Sequence, residues 1–215
     1  MAATHLPALK FHFLTPLYDW FIHLTMPEMK IKQRLIEQAG LKASDQVLDF
    51  GCGTATLLLL LEEVCPDCHI TGLEIDRRMA SIATKKLQQR KSACRLVKYD
   101  GGSLPFPDRT FDKVLSSWVF SQMTPAQKSK AFCEINRILK PQGELHIADW
   151  GKAENGFMRF LFFLIQLLDN FYTTNDNIKG RLPQLIEKCG FSQANTVGNQ
   201  STLFGTLSFF KAVKT

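Results

Sequence analysis

No low-complexity tract and no internal repeat interrupts this chain, which sets aside repeat architectures and extended disorder. No apolar run reaches the roughly 20 residues that a membrane-spanning helix needs. The first residues, Met1 to Phe13, lack the basic region and long apolar run of a secretory leader. Charge is not gathered into an arm. The 26 Lys and Arg outnumber the 20 Asp and Glu to give a net +6, but the basic residues are scattered, as on an ordinary solvated surface. There is neither an Asn-Pro-Pro-Tyr-type motif nor a basic stripe with interleaved aromatics, so no nucleic-acid partner is expected. The balance leaves a peripheral membrane contact open. Of the six cysteines (52, 65, 68, 94, 133 and 189), only Cys65-Pro66-Asp67-Cys68 has a suggestive spacing. With no second pair and no histidine cluster beside it, no metal site is expected, only a helix-to-strand turn carrying two thiols. A reducing cytoplasm is the expected compartment.

What is present is an ordinary globular composition, 45% hydrophobic and 21% charged over 215 residues. That supports one sizeable core with small additions. The chain reads as an N-terminal helical cap over residues 1–40, followed by a main domain over 41–215. An apolar helical insertion sits at about 153–176.

The organising stretch is Val47-Leu48-Asp49-Phe50-Gly51-Cys52-Gly53-Thr54-Ala55, an apolar run that meets an acid and turns through two glycines into a Leu-rich segment. This pattern predicts strand, tight loop and helix. Two glycines let the backbone adopt angles closed to other residues, and let a nucleotide-like ligand lie on the loop and the positive end of the next helix. A dinucleotide fingerprint would want a glycine at 56, where Thr stands.

Along the rest of the chain, units of strand and helix alternate. The aromatic-rich start, Leu6 to Thr25, is followed by a helix predicted over Glu28–Ala39, with Gly40 as its stop and Lys30, Lys32 and Arg34 outward. Strands are expected at 46–50, 69–73, 95–99, 113–117 and 144–150, and helices at 56–64, from about 77, and at 125–139. The turn Lys140-Pro141-Gln142-Gly143 precedes the fifth strand. The Phe-rich stretch from Gly156 to Tyr172 is a lid over an apolar pocket or plain core. A helix over 178–189 then leads to strands at 194–198 and 205–213. An acid just past the second strand, Glu74, lies where it can grip both hydroxyls of a ribose, while Asp76 caps the following helix.

Asp49-x-Gly51-x-Gly53 resembles motif I of the class I S-adenosylmethionine (SAM)-dependent methyltransferases, with Ala55 where a third glycine usually stands. The run Leu104-Pro105-Phe106-Pro107-Asp108-x-x-Phe111-Asp112-Lys113-Val114-Leu115-Ser116-Ser117 resembles the segment before the fourth strand in the branch that includes quinone-biosynthesis methyltransferases. The motifs cover about Lys42 to Trp150. The resemblance implies an α/β, Rossmann-like fold: a seven-stranded, mostly parallel sheet with an antiparallel last strand and helices on both faces. It also implies SAM as cofactor and S-adenosylhomocysteine as product. The cofactor would be held by Asp49, Gly51, Cys52, Gly53, Glu74, Ile75, Asp100, Gly101, Ser117 and Trp118. Tyr18 would approach it, because Thr15-Pro16-Leu17-Tyr18-Asp19 resembles the family's Tyr-Asp element. Candidate bases are Tyr18, His146 and Asp149, with Asp19 and His23 near the first. Ser121-Gln122 stands where many relatives carry histidines.

The aromatic start, the Phe-rich insertion and the basic balance point to a small apolar, amphipathic or lipid-like acceptor such as a quinone precursor. A small polar metabolite, an inactive SAM-binding partner subunit and a nicotinamide oxidoreductase remain alternatives. The last is disfavoured by Thr56, by Asp100 and by the run up to the fourth strand. The acceptor atom and the oligomeric state are not legible in the sequence.

Overall fold

The computed structural model describes residues 27–152, 171–202 and 205–215, with 171 and 172 described by their backbone alone. Most of the expected N-terminal cap, including Tyr18, Asp19 and His23, and residues 153–170 of the expected insertion lie outside the described residues.

The first described helix, α1 (Glu28–Ala39), places Ile31, Leu35, Ile36 and Ala39 at helical spacing, and all four are buried. Gly40 ends it in the left-handed conformation (φ +54°), donating its N–H to the carbonyls of Ile36 and Glu37. Lys32 corrects the sequence reading. It falls within the buried stripe, 7% exposed, and its ammonium is held by Glu28 one turn back at 2.6 Å.

Then β1 (Gln46–Phe50), α2 (Thr56–Val64), β2 (His69–Glu74), α3 (Arg77–Arg90) and β3 (Arg95–Lys98) build one half of the sheet. β4 (Phe111–Ser117), a 3₁₀ turn (Phe120–Gln122), α4 (Pro125–Ile138) and β5 (Leu139–Trp150) start the other. α5 (Phe171–Ile178), α6 (Leu182–Glu187), β6 (Phe191–Thr202) and β7 (Gly205–Lys214) complete it. The sheet order is β3-β2-β1-β4-β5-β7-β6. All pairings are parallel except those of β7, which runs antiparallel to both β5 and β6. The seven-stranded, mostly parallel sheet expected from the sequence is therefore observed.

Each face of the sheet carries its own apolar cluster. One unites Val47 of β1 and Leu115 of β4 with Leu35 of α1 and Leu57, Leu58 and Leu61 of α2. The other unites Leu48 and Phe50 of β1 with Phe120, Phe132, Ile135 and Ile147, and the rings of Phe120 and Phe132 stack at 4.5 Å. Each fully buried Leu, Ile or Phe contributes roughly 1.5–3 kcal/mol, so dozens of them set the fold against its conformational entropy.

Several features differ from expectation, among them β6, which runs over Phe191–Thr202 where 194–198 was expected. β5 begins at Leu139, because Leu139 pairs with Phe111 and the ladder then slips between Phe111 and Lys113. The Lys140–Gly143 turn is thus absorbed into an irregular strand, with Gln142 at φ +62°. The helix expected over 178–189 is shortened to α6 (Leu182–Glu187), and α5 (Phe171–Ile178) falls mainly in the stretch expected as the end of the insertion, the two parted at Gly180 (φ +67°). The two thiols expected in the turn after α2 are joined as a Cys65–Cys68 disulfide, and Cys133 of α4 is joined to Cys189 after α6. Cα separations of 5.4 and 4.7 Å suit both bridges, leaving Cys52 and Cys94 free.

The start of α3 shows one local device clearly. Asp76 accepts the backbone N–H groups of Arg78 and Met79 at 2.7 and 2.9 Å on one carboxylate oxygen. Replacing Asp76 with Ala leaves those donors to water and should cost about 1 kcal/mol. For a domain of this size that lowers the thermal midpoint by about 2–4 °C. An unchanged midpoint in differential scanning calorimetry would show that the cap contributes nothing.

Candidate cofactor and acceptor site

Strand order reverses between β1 and β4, whose carboxyl ends therefore part to leave a crevice. The loop after β1 lines it. Gly51 and Cys52 donate their N–H groups to the Leu73 carbonyl at 2.9 and 3.0 Å, which anchors the loop to β2. Gly51 sits at φ +75°, and a Cβ there would collide with the methyl groups of Val119, just past β4. Glycine is required at 51 because two strand ends converge on it.

Gly53 is different. Its φ is +55°, but nothing lies within 4 Å of where its Cβ would stand, so the space above it is open. Ala55 also adopts the left-handed conformation (φ +66°), which explains why a glycine usually stands there; its methyl is wholly buried.

Glu74, at the end of β2, is the loop's second anchor. One carboxylate oxygen accepts the Gly53 N–H at 2.7 Å, and the other accepts the Asp76 N–H at 2.7 Å. The side chain is held rigidly at the crevice, 7% exposed, with lone pairs left over on each oxygen. Next to it Ile75 is 43% exposed, an apolar side chain turned to solvent at the crevice margin. Asp100 and Gly101 follow β3. Asp100 is exposed and accepts the Gly102 N–H at 3.1 Å, while Gly101 sits at φ +89°.

Asp49 stands alone. It is 1% exposed, and neither carboxylate oxygen has a hydrogen-bond partner among the described residues. Burial pushes its carboxyl up to about 7, with the Lys32 ammonium pulling down and Glu74 pushing further up. Cys52 lies between these two acids, and burial raises its thiol far above the usual range, so it is no nucleophile at neutral pH.

At the end of β4, Ser117 is partly exposed and Trp118 adopts φ +55°, unusual for so bulky a residue. The Trp118 N–H still donates to Ala148 at 2.9 Å, so the chain turns sharply at the crevice without losing its ladder bond. Such strain costs of the order of 1–3 kcal/mol and is concentrated at functional edges.

The structure separates the two described base candidates. His146 lies inside β5 on the α1 side, wholly buried between Gln38 (3.1 Å) and Glu144 (3.0 Å). Burial lowers its basicity, and the crevice residues do not include it. Asp149 lies at the carboxyl end of β5 on the α4 side, accepting the N–H groups of Ser121 (3.1 Å) and Trp150 (2.7 Å). Burial raises its carboxyl.

Sequence reasoning passed over Lys128, buried in α4. Its ammonium donates to the Thr173 carbonyl at 2.6 Å and stands 3.8 Å from Asp176, with Asn177 buried nearby on α5. Lys128, Phe132 and Ile135 share one helix face, so a lysine on an apolar stripe was the available signal.

A family model described as a methyltransferase domain matches residues 47–143. A demethylmenaquinone methyltransferase of Thermus thermophilus is 28% identical over 184 residues, spanning 82% of this chain and 83% of that protein. Across the glycine loop and the strands around it, the chain is similar to the class I SAM-dependent methyltransferases. A SAM-dependent methyltransferase from Aquifex aeolicus superposes with a TM-score of 0.67 at 19% identity, covering 90% of this chain and 96% of that one. The cyclase SpnF superposes as well, at a TM-score of 0.68 and 19% identity over 86% of this chain and 80% of that one. The same fold therefore hosts other chemistry, and the methyltransferase assignment rests on the family match and the Thermus relative. The loop offers a buried carboxylate without a hydrogen-bond donor among the described residues, an open space over Gly53 and a fixed acid at Glu74, a donor set that suits a ligand carrying a cation and vicinal hydroxyls.

The three small residues of the loop should respond differently to substitution. Gly51→Ala adds a left-handed strain of about 1–2 kcal/mol to a clash with the Val119 side chain. Gly53→Ala carries the strain alone. For Ala55→Gly, relief of a similar strain is offset by about 0.4–1 kcal/mol of chain entropy and about 0.8 kcal/mol of lost methyl burial, a net change near zero. Urea unfolding should rank them in that order, and equal losses at 51 and 53 would refute the assigned contact with Val119.

Proposed function

We propose that this methyltransferase transfers the methyl group of SAM to a small apolar or amphipathic acceptor of the quinone-precursor type. The observation that carries the cofactor half is the Glu74 carboxylate, pinned by two backbone N–H groups beside an open glycine loop. In this reading Glu74 takes the ribose hydroxyls on its remaining lone pairs. Asp49, Gly51, Cys52 and Gly53 receive the amino-acid end, and the exposed Ile75, with Asp100 and Gly101, receives the adenine. Ser117 and Trp118 form the floor where the reacting groups meet.

SAM, when bound, supplies a methyl group activated by its sulfonium. The chain's own contribution is alignment: held groups can supply roughly 7–11 kcal/mol of a displacement barrier. In this reading the acceptor side is the α4 face of the crevice, where Asp149 accepts from Ser121 and feels the charge of the buried Lys128. A ring-carbon acceptor must lose a proton after methylation, and Asp149 is the described candidate at that edge to hold it. The acceptor class is supported by the Thermus relative, named as a demethylmenaquinone methyltransferase. No helix among the described residues is long and apolar enough to cross a membrane, so an apolar acceptor would be met from the membrane surface or from solution.

Two measurements test the halves separately. Hydrogen bonds to a charged group contribute roughly 1.5–3 kcal/mol, so Glu74→Ala should weaken binding of S-adenosylhomocysteine by about 10- to 100-fold in titration calorimetry. NADH should give no heat. Unchanged affinity would place the ribose elsewhere. Methyl-labelled SAM should then label a demethylated naphthoquinol in preference to small polar amines, and the reverse preference would discard the acceptor proposed.

A further inference from the structure

Asp49 poses a problem that the cofactor assignment does not resolve. A buried carboxylate without a hydrogen-bond donor is costly as an anion, and proteins usually resolve this by keeping the group protonated. The charges around it do not compensate. On α1, Lys32 is near enough to pull on the carboxyl, but its ammonium is already engaged by Glu28 at 2.6 Å. From β2 comes another acid, Glu74, and from the loop the neutral Cys52 thiol. On α3, Lys86 donates to the Thr56 hydroxyl at 2.9 Å. The neighbouring strand positions are Gly72 on β2 and Leu115 on β4, which carry no charge. Among the described residues no cation is committed to Asp49.

We propose that Asp49 is protonated in the ligand-free protein and ionises when the cationic end of the cofactor arrives, so that binding expels one proton from beneath the glycine loop. The inference rests on the cofactor reading given above. Its consequence is selectivity by charge. A ligand that brings a positive group over Asp49 is favoured by an anion that forms only in its presence, whereas a neutral mimic of the same shape meets a protonated acid. Protons balance simply: the carboxyl O–H breaks, the proton leaves to buffer, and the carboxylate remains beside the bound cation.

The sign follows from linkage. A group titrating near pH 7 when free and lower when bound releases most below pH 7, about 0.9 proton at pH 6 and about half a proton at pH 7. Affinity should rise with pH, approaching tenfold per unit well below 7 and flattening as pH passes through it. The window from pH 5.5 to 7 keeps the ligand's own amine, near 7.7–8.0 for an ordinary α-amino group, largely protonated.

The test is calorimetry of the whole protein with SAM, and separately with S-adenosylhomocysteine, in buffers of different ionisation enthalpy. Release with both ligands assigns the effect to the shared ammonium; release with SAM alone assigns it to the sulfonium. Asp49→Asn keeps the shape, and should abolish the release and remove the pH dependence of affinity across the window. A wild-type release below about 0.1 proton at pH 6, or an unaltered release in the variant, would overturn the proposal. Should the variant fail to fold, carbon-13 NMR of the wild-type carboxyls decides. An aspartate titrating near pH 7 that shifts down on adding SAM is expected, and its absence sinks the idea. If neither ligand gives any heat with the wild type, the cofactor reading itself fails, which is a different result from binding without proton release.

Discussion

The Glu74 carboxylate is the interaction on which the crevice depends. It joins the end of β2, the middle of the glycine loop and the entry to α3 at one point, through the N–H groups of Gly53 and Asp76. Charge-assisted bonds of this kind are among the stronger polar contacts in a protein, and here they are shielded from water. Because the loop is also anchored to Leu73 through Gly51 and Cys52, its geometry is fixed before any ligand arrives. A preorganised loop loses little conformational freedom on binding, which is what allows a small number of contacts to hold a nucleotide-like ligand.

That rigidity explains how an isolated acid can persist at Asp49. A flexible loop would let water in to solvate the carboxylate. The Gly51–Val119 contact and the buried Ala55 methyl keep the loop packed down on the strand ends, at the expense of left-handed strain at Ala55 and a buried carboxyl without a hydrogen-bond partner among the described residues. In the cofactor reading proposed above, local rules fail here as they often do at functional sites, because the ligand would be one of the missing partners.

Much of this was legible in the sequence, because the cofactor half of the fold is local. β1, α2 and the loop between them are contiguous. Hydrophobic period, two glycines and an acid fix their conformation, and the structure reproduces Gln46–Phe50 and Thr56–Val64 as expected. Features set by long-range packing were not legible. Lys32 was read as outward because lysine usually is, but its place on the face of Leu35, Ile36 and Ala39 buries it. β5 extends over a Pro-Gly turn because Phe111 offers Leu139 a partner. The break at Gly180 and the pairing of Cys133 with Cys189 likewise depend on how α5 and α6 meet α4, which no local pattern encodes. The roles of the crevice residues follow from the family resemblance together with the geometry, and stand as proposals.

The two faces of the sheet also divide the polar groups by task. On the α1 side, His146, Glu144, Lys113, Lys211 and Gln38 form a network in which each described group meets a partner, and the Glu144 carboxyl is held well below its usual range, chiefly by His146 with the two lysines assisting. Such a network is already satisfied, so its groups have little capacity left for a substrate. On the α4 side, Lys128, Asp149, Asp176 and Asn177 are equally buried, yet Asn177 and one oxygen of Asp176 have no hydrogen-bond partner among the described residues. Burial lowers the Lys128 ammonium and raises the Asp149 carboxyl, so both are drawn toward neutrality. Groups poised in that way respond to a neighbour's charge, whereas saturated ones do not. The acceptor reading proposed above therefore falls on α4, α5 and the end of β5 and not on β2 beneath the glycine loop, where Glu74 is already committed to holding that loop.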